Sequence, residues 1–465
     1  MGNIFFVIVL VCICVWMYLL PQRFRKYMLL AASVAFFLCV SPASLIYVAA
    51  VTVISWAAAR VLDKEKEPAK RKLVLGVMTA AIVALLAGIK YSGIWRSTSI
   101  AIPLGLSYYS LMVIGHLVEV YRGNEKAERN FCRYSLFVCF FPQASAGPIG
   151  RSRDLCRQYE EGLHFDPAGI RMGFIMVLTG LFEKMVLADN INRFVMGILD
   201  GELAGITVVL AVFLYSLVIY FDFGGYSLIA VGSAKMLGVK LMDNFRAPYR
   251  STSVQEFWRR WHISLSSWFR DYVYIPLGGS RKGSWRRDLN TLIVFVLSGM
   301  WHGAAAGYFV WGGIHGLYLV AGKRTQQFRE RIFGKIRKLK RFGVWLQRAV
   351  VYILVSFAWV PFLAGSFWKM KEIVLRMFAF RPWELIDGSL MKLGLDWQGM
   401  VVCLLGTLFI FAIDAYQEKK NFYAAAAGKH VLIRFAYYIL MVILIVLAGV
   451  YGTVYREADF IYGQF

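Results

Sequence analysis

The sequence predicts an all-α, polytopic integral membrane protein, and three observations lead there. The 465-residue chain is 59% hydrophobic and only 17% charged, well below the roughly 25% charge of soluble domains. Apolar runs long enough to cross about 30 Å of hydrocarbon recur from end to end. Basic residues gather in the short segments between those runs, as the positive-inside rule requires. The spans should be helices, because backbone groups in lipid must pair within their own segment. The alternating short strands of a closed barrel are not present.

The elements follow in order. The run Ile4 to Leu20 has no basic leader before it and reads as a retained span, not a cleaved signal. Arg23, Arg25 and Lys26 put its end in the cytoplasm and the N-terminus outside. Runs over 28–40 and 42–60 go out and return to the basic loop Arg60 to Lys72. The run over 73–89 goes out, and 101–119 returns to Tyr121-Arg122-Gly123-Asn124. From 131 to 150 the pattern changes. Phe140-Phe141-Pro142-Gln143-Ala144-Ser145-Ala146-Gly147-Pro148-Ile149-Gly150 is apolar, yet its prolines and glycines forbid an unbroken helix. It predicts a re-entrant segment packed within protein, being too apolar for a surface loop. Spans over 170–187 and 204–236 follow.

In Val254 to Tyr274, Trp258, Trp261, Leu265, Trp268 and Tyr272 recur at helical spacing with arginines between them. That pattern predicts one amphipathic helix at the lipid–water boundary. Arg281, Lys282, Arg286 and Arg287 set it on the cytoplasmic side. Thr291 to Val320 is the next apolar segment, the basic stretch Lys323 to Arg348 predicts a cytoplasmic surface helix, and spans near 347–366, 399–416 and 431–452 finish the chain. The expected architecture is about eleven spans with re-entrant and amphipathic helices beside them. Residues 1–465 form one membrane-embedded domain, since no repeat or long linker divides them.

The formal charge of +24 does not imply nucleic acid, because no stacking or base-reading motif accompanies it. Anionic membrane lipid or an acidic carrier suits it better. The cysteines, Cys12, Cys14, Cys39, Cys132, Cys139, Cys156 and Cys403, are scattered and lack zinc-ligand spacing. They read as buried thiols, with no bound metal or cofactor expected.

Met300-Trp301-His302-Gly303 places an imidazole inside an apolar, glycine-rich segment. An ionisable ring at membrane depth is costly and usually functional. A neutral histidine can take the proton of an attacking hydroxyl; the plainer reading is a histidine hydrogen-bonded between helices. Gly299, Gly303 and Gly307 share a helical stripe, as do Gly312 and Gly316. Such a stripe permits close helix packing or the passage of a slender substrate. His262, close to Trp258 on its helix, could orient His302, bind substrate, or cap a packing contact. His315 would lie roughly 20 Å from His302 on a continuous helix, so it ranks second unless the glycines break that helix. Asn290 could hydrogen-bond a buried partner or cap a helix. Asp222, in Tyr220-Phe221-Asp222-Phe223-Gly224-Gly225, needs a buried partner, such as an arginine of the amphipathic segment, and reads first as a structural ion pair. No P-loop, dinucleotide fingerprint or Ser-His-Asp order is present.

At these residues the chain resembles the membrane-bound O-acyltransferases. The motifs are Glu256-Phe257-Trp258-Arg259-Arg260-Trp261-His262-Ile263-Ser264-Leu265-Ser266 and Met-Trp-His-Gly. The likeness runs from Leu20-Pro21 to the closing Phe460-Ile461-Tyr462-Gly463-Gln464-Phe465. Phe141-Pro142-Gln143 with Ala146-Gly147-Pro148-Ile149, and Tyr274-Ile275-Pro276-Leu277-Gly278-Gly279, are similar to the bacterial branch typified by the alginate O-acetylation membrane protein. The D-alanyl transfer proteins of teichoic acid synthesis are the close alternative, and Leu228, where alginate-type sequences often carry an acid, matches them.

The resemblance implies a helical shell around a central tunnel with His302 at its narrowest point and His262 in support; Trp301, Gly303, Asn290, His315, Trp258 and Asp222 are expected around them. It implies a thioester donor from the cytoplasm, acetyl-CoA or, alternatively, an acyl group on a carrier protein's phosphopantetheine. It also implies an extracytoplasmic partner that modifies an exported polysaccharide, and residence in the bacterial cytoplasmic (inner) membrane. A transporter in which His302 relays protons is the rival from another class, although related halves are not detectable.

Overall fold

The computed structural model describes residues 3–95, 101–144, 147–335 and 340–451. Every regular element among them is helical. Helices α1 (Asn3–Leu19), α2 (Gln22–Val40), α3 (Pro42–Lys64) and α4 (Pro68–Lys90) come first. Their breaks fall at Pro21, Pro42 and Pro68, which are tolerated at a helix start but not in its interior. A single turn, α5 (Ser92–Trp95), precedes α6 (Leu106–Arg122), which is buried on almost every side and bounded by the left-handed Gly105 and Gly123. Next come α7 (Phe131–Cys139), a 3₁₀ turn at Phe141–Gln143, and α8 (Ser152–Glu161).

Helix α9 (Pro167–Leu181) runs through a π-helical turn, Phe182–Ala188, into α10 (Asp189–Asp200). It lies antiparallel to α11 (Ile206–Met236), with Gly173 against Gly232 and Gly180 against Gly225. Close backbone approach of this kind is how helices associate where no hydrophobic force separates protein from solvent. Helices α12 (Val254–Arg260) and α13 (Ile263–Phe269) lead to the hairpin of α14 (Gly283–His302) and α15 (Ala306–Arg324). The remainder is α16 (Gln326–Lys335), α17 (Lys340–Ala358), α18 (Val360–Ala364), α19 (Phe367–Met377), α20 (Trp397–Gln417), α21 (Phe422–Ala427) and α22 (Val431–Ala448).

Among the described residues, 6 helices are long and apolar enough to cross a membrane. They include α3, α4, α11, α20 and α22. The expected number was larger, and particular segments explain the difference. α2 carries Arg23, Arg25 and Lys26 in its first turns, α6 has 17 residues, and α14 opens on Arg286, Arg287 and Asp288.

Two expectations are corrected and one left open is decided. Val254 to Tyr274 is not one lipid-facing helix: it breaks at Trp261 and His262, and Trp258, Trp261 and Trp268 are all buried in protein. Thr291 to Val320 is a hairpin, the break that its glycines left open. A Cβ at Gly299 would strike the Tyr308 carbonyl, and one at Gly312 the Phe295 carbonyl, so the stripe serves close packing. Of the cysteines, Cys12 and Cys39 are exposed on helix faces and not buried. The proline-bearing stretch after α7 is buried among protein, with Phe140, Phe141 and Gln143 all enclosed. Its Ser145 and Ala146 lie outside the described residues, as do residues 336–339 of the basic stretch and the closing Phe460–Phe465 motif.

Asp222 has a cationic partner, but it is Lys184 and not an arginine. The Lys184 Nζ, presented by the π-helical turn, lies 2.6 Å from Asp222 and 2.6 Å from Asp189. Breaking a buried ion pair from one side strands a desolvated charge, at about 3–5 kcal/mol. Lys184→Met is therefore expected to lower the thermal unfolding temperature of the detergent-purified protein sharply. Asp222→Asn, which leaves Lys184 its bond to Asp189, should cost less, and equal unfolding temperatures would show that the lysine does not hold the segment.

Candidate active site

His302 is the last residue of α14. Gly303 follows in extended backbone, and a Cβ there would lie 2.7 Å from the Tyr308 ring. This close approach turns the chain back and leaves His302 at the hairpin's bend, 1% exposed. Four rings enclose the imidazole: Trp301 at 4.9 Å between centroids, Trp311 at 5.2 Å, Phe362 at 5.5 Å and Tyr308 at 6.4 Å.

The last carbonyls of a helix have no partner within it. Here α4 and its end supply donors. Lys90 Nζ donates to the Trp301 carbonyl, and its charge sits 5.0 Å from the Trp301 ring centre. The Tyr91 hydroxyl donates to the Met300 carbonyl at 3.0 Å. A cation is favourable at this negative end of the helix dipole. The Trp301 indole in turn donates to the Ser107 carbonyl of α6 at 3.4 Å.

His262 stands in the break between α12 and α13 with φ 43°, a left-handed conformation. For a residue with a Cβ this costs about 1–3 kcal/mol and marks functional sites more often than others. The break is held by bonds to the preceding loop. Ile263 N–H donates to the Asn244 carbonyl at 3.0 Å, and the Ser264 hydroxyl to Asn244 Oδ1 at 2.6 Å. The buried His262 ring packs on Phe223 at 4.7 Å and on Trp301 at 6.2 Å. Trp301 thus touches both imidazoles.

His315 is nearer than a continuous helix would allow, because the hairpin folds α15 back. Trp311 bridges it to His302, with ring centres 5.2 Å apart on each side. The Trp258 indole donates to His315 Nδ1 at 3.2 Å. Indole can only donate, so Nδ1 carries no proton and the ring's proton is on Nε2. Asn290 stands apart, two turns into α14, where its amide donates to the carbonyls of Leu277 and Gly279 at 3.3 and 3.0 Å. It pins the glycine-rich loop and caps no helix. Asp222 is engaged by Lys184, while its neighbour Phe223 forms a wall of the site.

Sequence reasoning missed Lys90, Tyr308, Trp311 and Phe362. Lys90 is a lone charge directly after the apolar run over 73–89, which is a usable signal. Nothing local marks the three aromatic residues.

Along α6 from Ser107 lies a cavity of about 400 Å³, lined by Leu111, Gly115, His116, Arg151, Trp268 and Tyr272 among others. The Trp268 indole donates to the Leu111 carbonyl at 2.8 Å. Two tryptophans thus bond to carbonyls one turn apart on α6, Trp268 at the cavity and Trp301 at the histidines. His302 itself does not line this cavity.

The fold defines a multi-pass membrane protein with buried imidazoles at His262, His302 and His315. The model of the MBOAT, membrane-bound O-acyltransferase, family matches residues 125–362. The chain belongs to that family, and it is an acyltransferase. It is 34% identical to a probable alginate O-acetylase of Pseudomonas fluorescens, over 90% of this chain and 83% of that one. It is 31% identical to a peptidoglycan O-acetyltransferase of Helicobacter pylori, over 66% of this chain and 64% of the relative. With a teichoic acid D-alanyltransferase of Bacillus subtilis it shares 27% identity, over 63% of this chain and 78% of the relative.

The strained break before His262 is anchored at the rim by Glu418, 2.7 Å from Arg250 and 3.1 Å from Arg260. Burial alone would raise the Glu418 carboxyl, but Arg250 and Arg260 outweigh it and hold it below 4.5. A depressed carboxyl contributes stability that is complete above its unfolded value and lost as pH falls through the folded one. Unfolding temperature should therefore decline with acidification below 4.5, and Glu418→Gln should flatten that part of the profile. An unchanged slope in the variant would show that the anchor is not linked to stability.

Proposed function

We propose that this protein moves acetyl groups from a cytoplasmic thioester donor across the membrane for O-acetylation of an exported or cell-surface polysaccharide. One observation carries the reading: His302, at the motif Met-Trp-His-Gly, is enclosed with His262 around a shared tryptophan in a chain 34% identical to a probable alginate O-acetylase. The acetylase likeness extends over more of the chain than the D-alanyltransferase likeness, which favours acetyl-CoA as donor over a carrier-bound aminoacyl group. Leu228 keeps D-alanyl transfer as the second reading.

In the proposed reaction an acceptor hydroxyl attacks the thioester carbonyl. His302 takes the hydroxyl proton as the C–O bond forms, and returns it to the thiolate as the C–S bond breaks. Trp301, held by Lys90 and Ser107, orients the ring, and His262 supports the same indole at 6.2 Å between centroids.

Basic Arg23, Arg25, Lys26, Arg281 and Lys282 support a cytoplasmic face at those loops, with the N-terminus outside and the bacterial inner membrane as its site. On that orientation the ≈400 Å³ cavity beside α6 opens to the cytoplasm. Its length along the helix suits the slender arm of a thioester donor, and the tunnel would continue past Trp268 and Trp301. The far side would serve an extracytoplasmic protein that receives the acyl group for the polymer.

His302→Ala should insert and fold but lose transfer by about 10²–10⁴-fold or more, read as O-acetyl released from the exported polymer. Undiminished acetylation would end the catalytic assignment. At Gly115 a Cβ would already lie 3.3 Å from Tyr272 and 3.4 Å from Trp268. Gly115→Leu should therefore raise KM for the thioester in membrane vesicles with little change at saturation; an unaltered KM would move the donor path elsewhere.

A further inference from the structure

The π-helical turn Phe182–Ala188 presents adjacent charged residues, Glu183 and Lys184, to different surroundings. Lys184 is taken by Asp222 and Asp189. Glu183 instead lines a second cavity, of about 240 Å³, with Tyr220, Asp414, Tyr423, Asp243 and Arg246. Glu183 is 6% exposed and Asp414 8%.

The donors available to these carboxylates fall short. The Tyr220 hydroxyl lies 3.0 and 2.9 Å from the two Asp414 oxygens. A phenol has one proton to donate, so Tyr220 cannot also serve Glu183. Arg246 pairs with Asp243 at 3.8 Å, and its side chain is 67% exposed at the cavity's outer edge. Among the described residues no protein donor reaches Glu183. Two desolvated carboxylates on one cavity demand a proton or a cation. Carboxylate and phenol oxygens form an all-oxygen set, which suits a hard cation or an ammonium group. A π-helical turn is a frequent mark of function, since it costs regular hydrogen bonds.

We propose that this cavity is a binding site for a small cation, held by the Glu183 and Asp414 carboxylates with the Tyr423 hydroxyl beside them. It is separate from the histidine site but shares a wall with it: Tyr220 and Gly224 of α11 line the cavity, and Phe223 between them packs on His262. Occupancy therefore bears on the helix that backs the active site.

The test uses the full-length protein purified in detergent, at fixed ionic strength with N-methylglucamine chloride as the inert salt. Lithium, sodium, potassium, magnesium, calcium and tetramethylammonium chlorides are titrated separately while the unfolding temperature is read. Binding to the folded state raises that temperature in a saturable way, and the series separates metal ions from an organic ammonium. The expected result is a saturable rise with at least one cation that disappears in Glu183→Gln, weakens in Asp414→Asn and persists in Glu372→Gln, an exposed control on α19. Should Glu183→Gln fail to fold, Asp414→Asn and the wild-type titration decide the matter. Unfolding temperatures that ignore the cation, or a rise that survives in the cavity variants, would overturn the proposal and mean that Glu183 is simply protonated.

Discussion

The position of His302 depends on how closely α15 can lie against α14. Where Gly299 meets the Tyr308 carbonyl and Gly312 the Phe295 carbonyl, any side chain would push the two helices apart. A third glycine, Gly307, lies as tightly against the Pro361 carbonyl and draws α18 onto the hairpin. These contacts bring Trp311 and Phe362 to the imidazole, so the aromatic enclosure follows from backbone approach and not from the aromatic residues' own preferences. In hydrocarbon there is no solvent to drive apolar surfaces together, and small residues with their dispersion contacts have to do that work.

A second constraint shapes the remainder. A polar group at membrane depth must find its partner inside the chain. Lys184 with Asp222 and Asp189, Lys90 on the Trp301 carbonyl, and Trp258 on His315 are all solutions to it. All but the local Lys184–Asp189 bond join elements distant in sequence, so the same bonds that satisfy buried groups also fix the bundle. The Lys90 bond joins α4 to the end of α14, and the Trp301 indole joins α14 to α6.

How much was legible in the sequence follows from what is local. The all-helical, multi-pass character, six of the apolar spans and the buried proline-bearing stretch after Cys139 could be read from composition and pattern. The break at His262 could not: Trp258, Trp261 and Leu265 keep helical spacing across it, and the left-handed turn is imposed by Asn244 from a separate loop. The same tryptophan pattern misled about environment. A stripe of tryptophan with arginine fits the lipid interface and a buried aromatic cluster equally well, and only tertiary packing distinguishes them. Asp222 was correctly expected to need a cation, but the choice of Lys184 rests on a π-helical turn for which the apolar run over 170–187 gives no sign.

The closed aromatic surroundings of His302 bear on chemistry as much as on packing. A thioester can be attacked by water as well as by an alcohol, and water is by far the more abundant nucleophile. A transferase must therefore keep its base dry until the acceptor arrives. On the proposed reaction, the rings of Trp301, Tyr308, Trp311 and Phe362 around an imidazole that is 1% exposed would meet that need. Exclusion of water suppresses hydrolysis and strengthens the field of any nearby charge. An open, solvated histidine would be easier for substrate to reach but would spend the donor on water. If His302 is the base proposed above, this tight enclosure is a condition of productive transfer, and admitting substrate would require one of these four rings to give way without opening the site to bulk solvent.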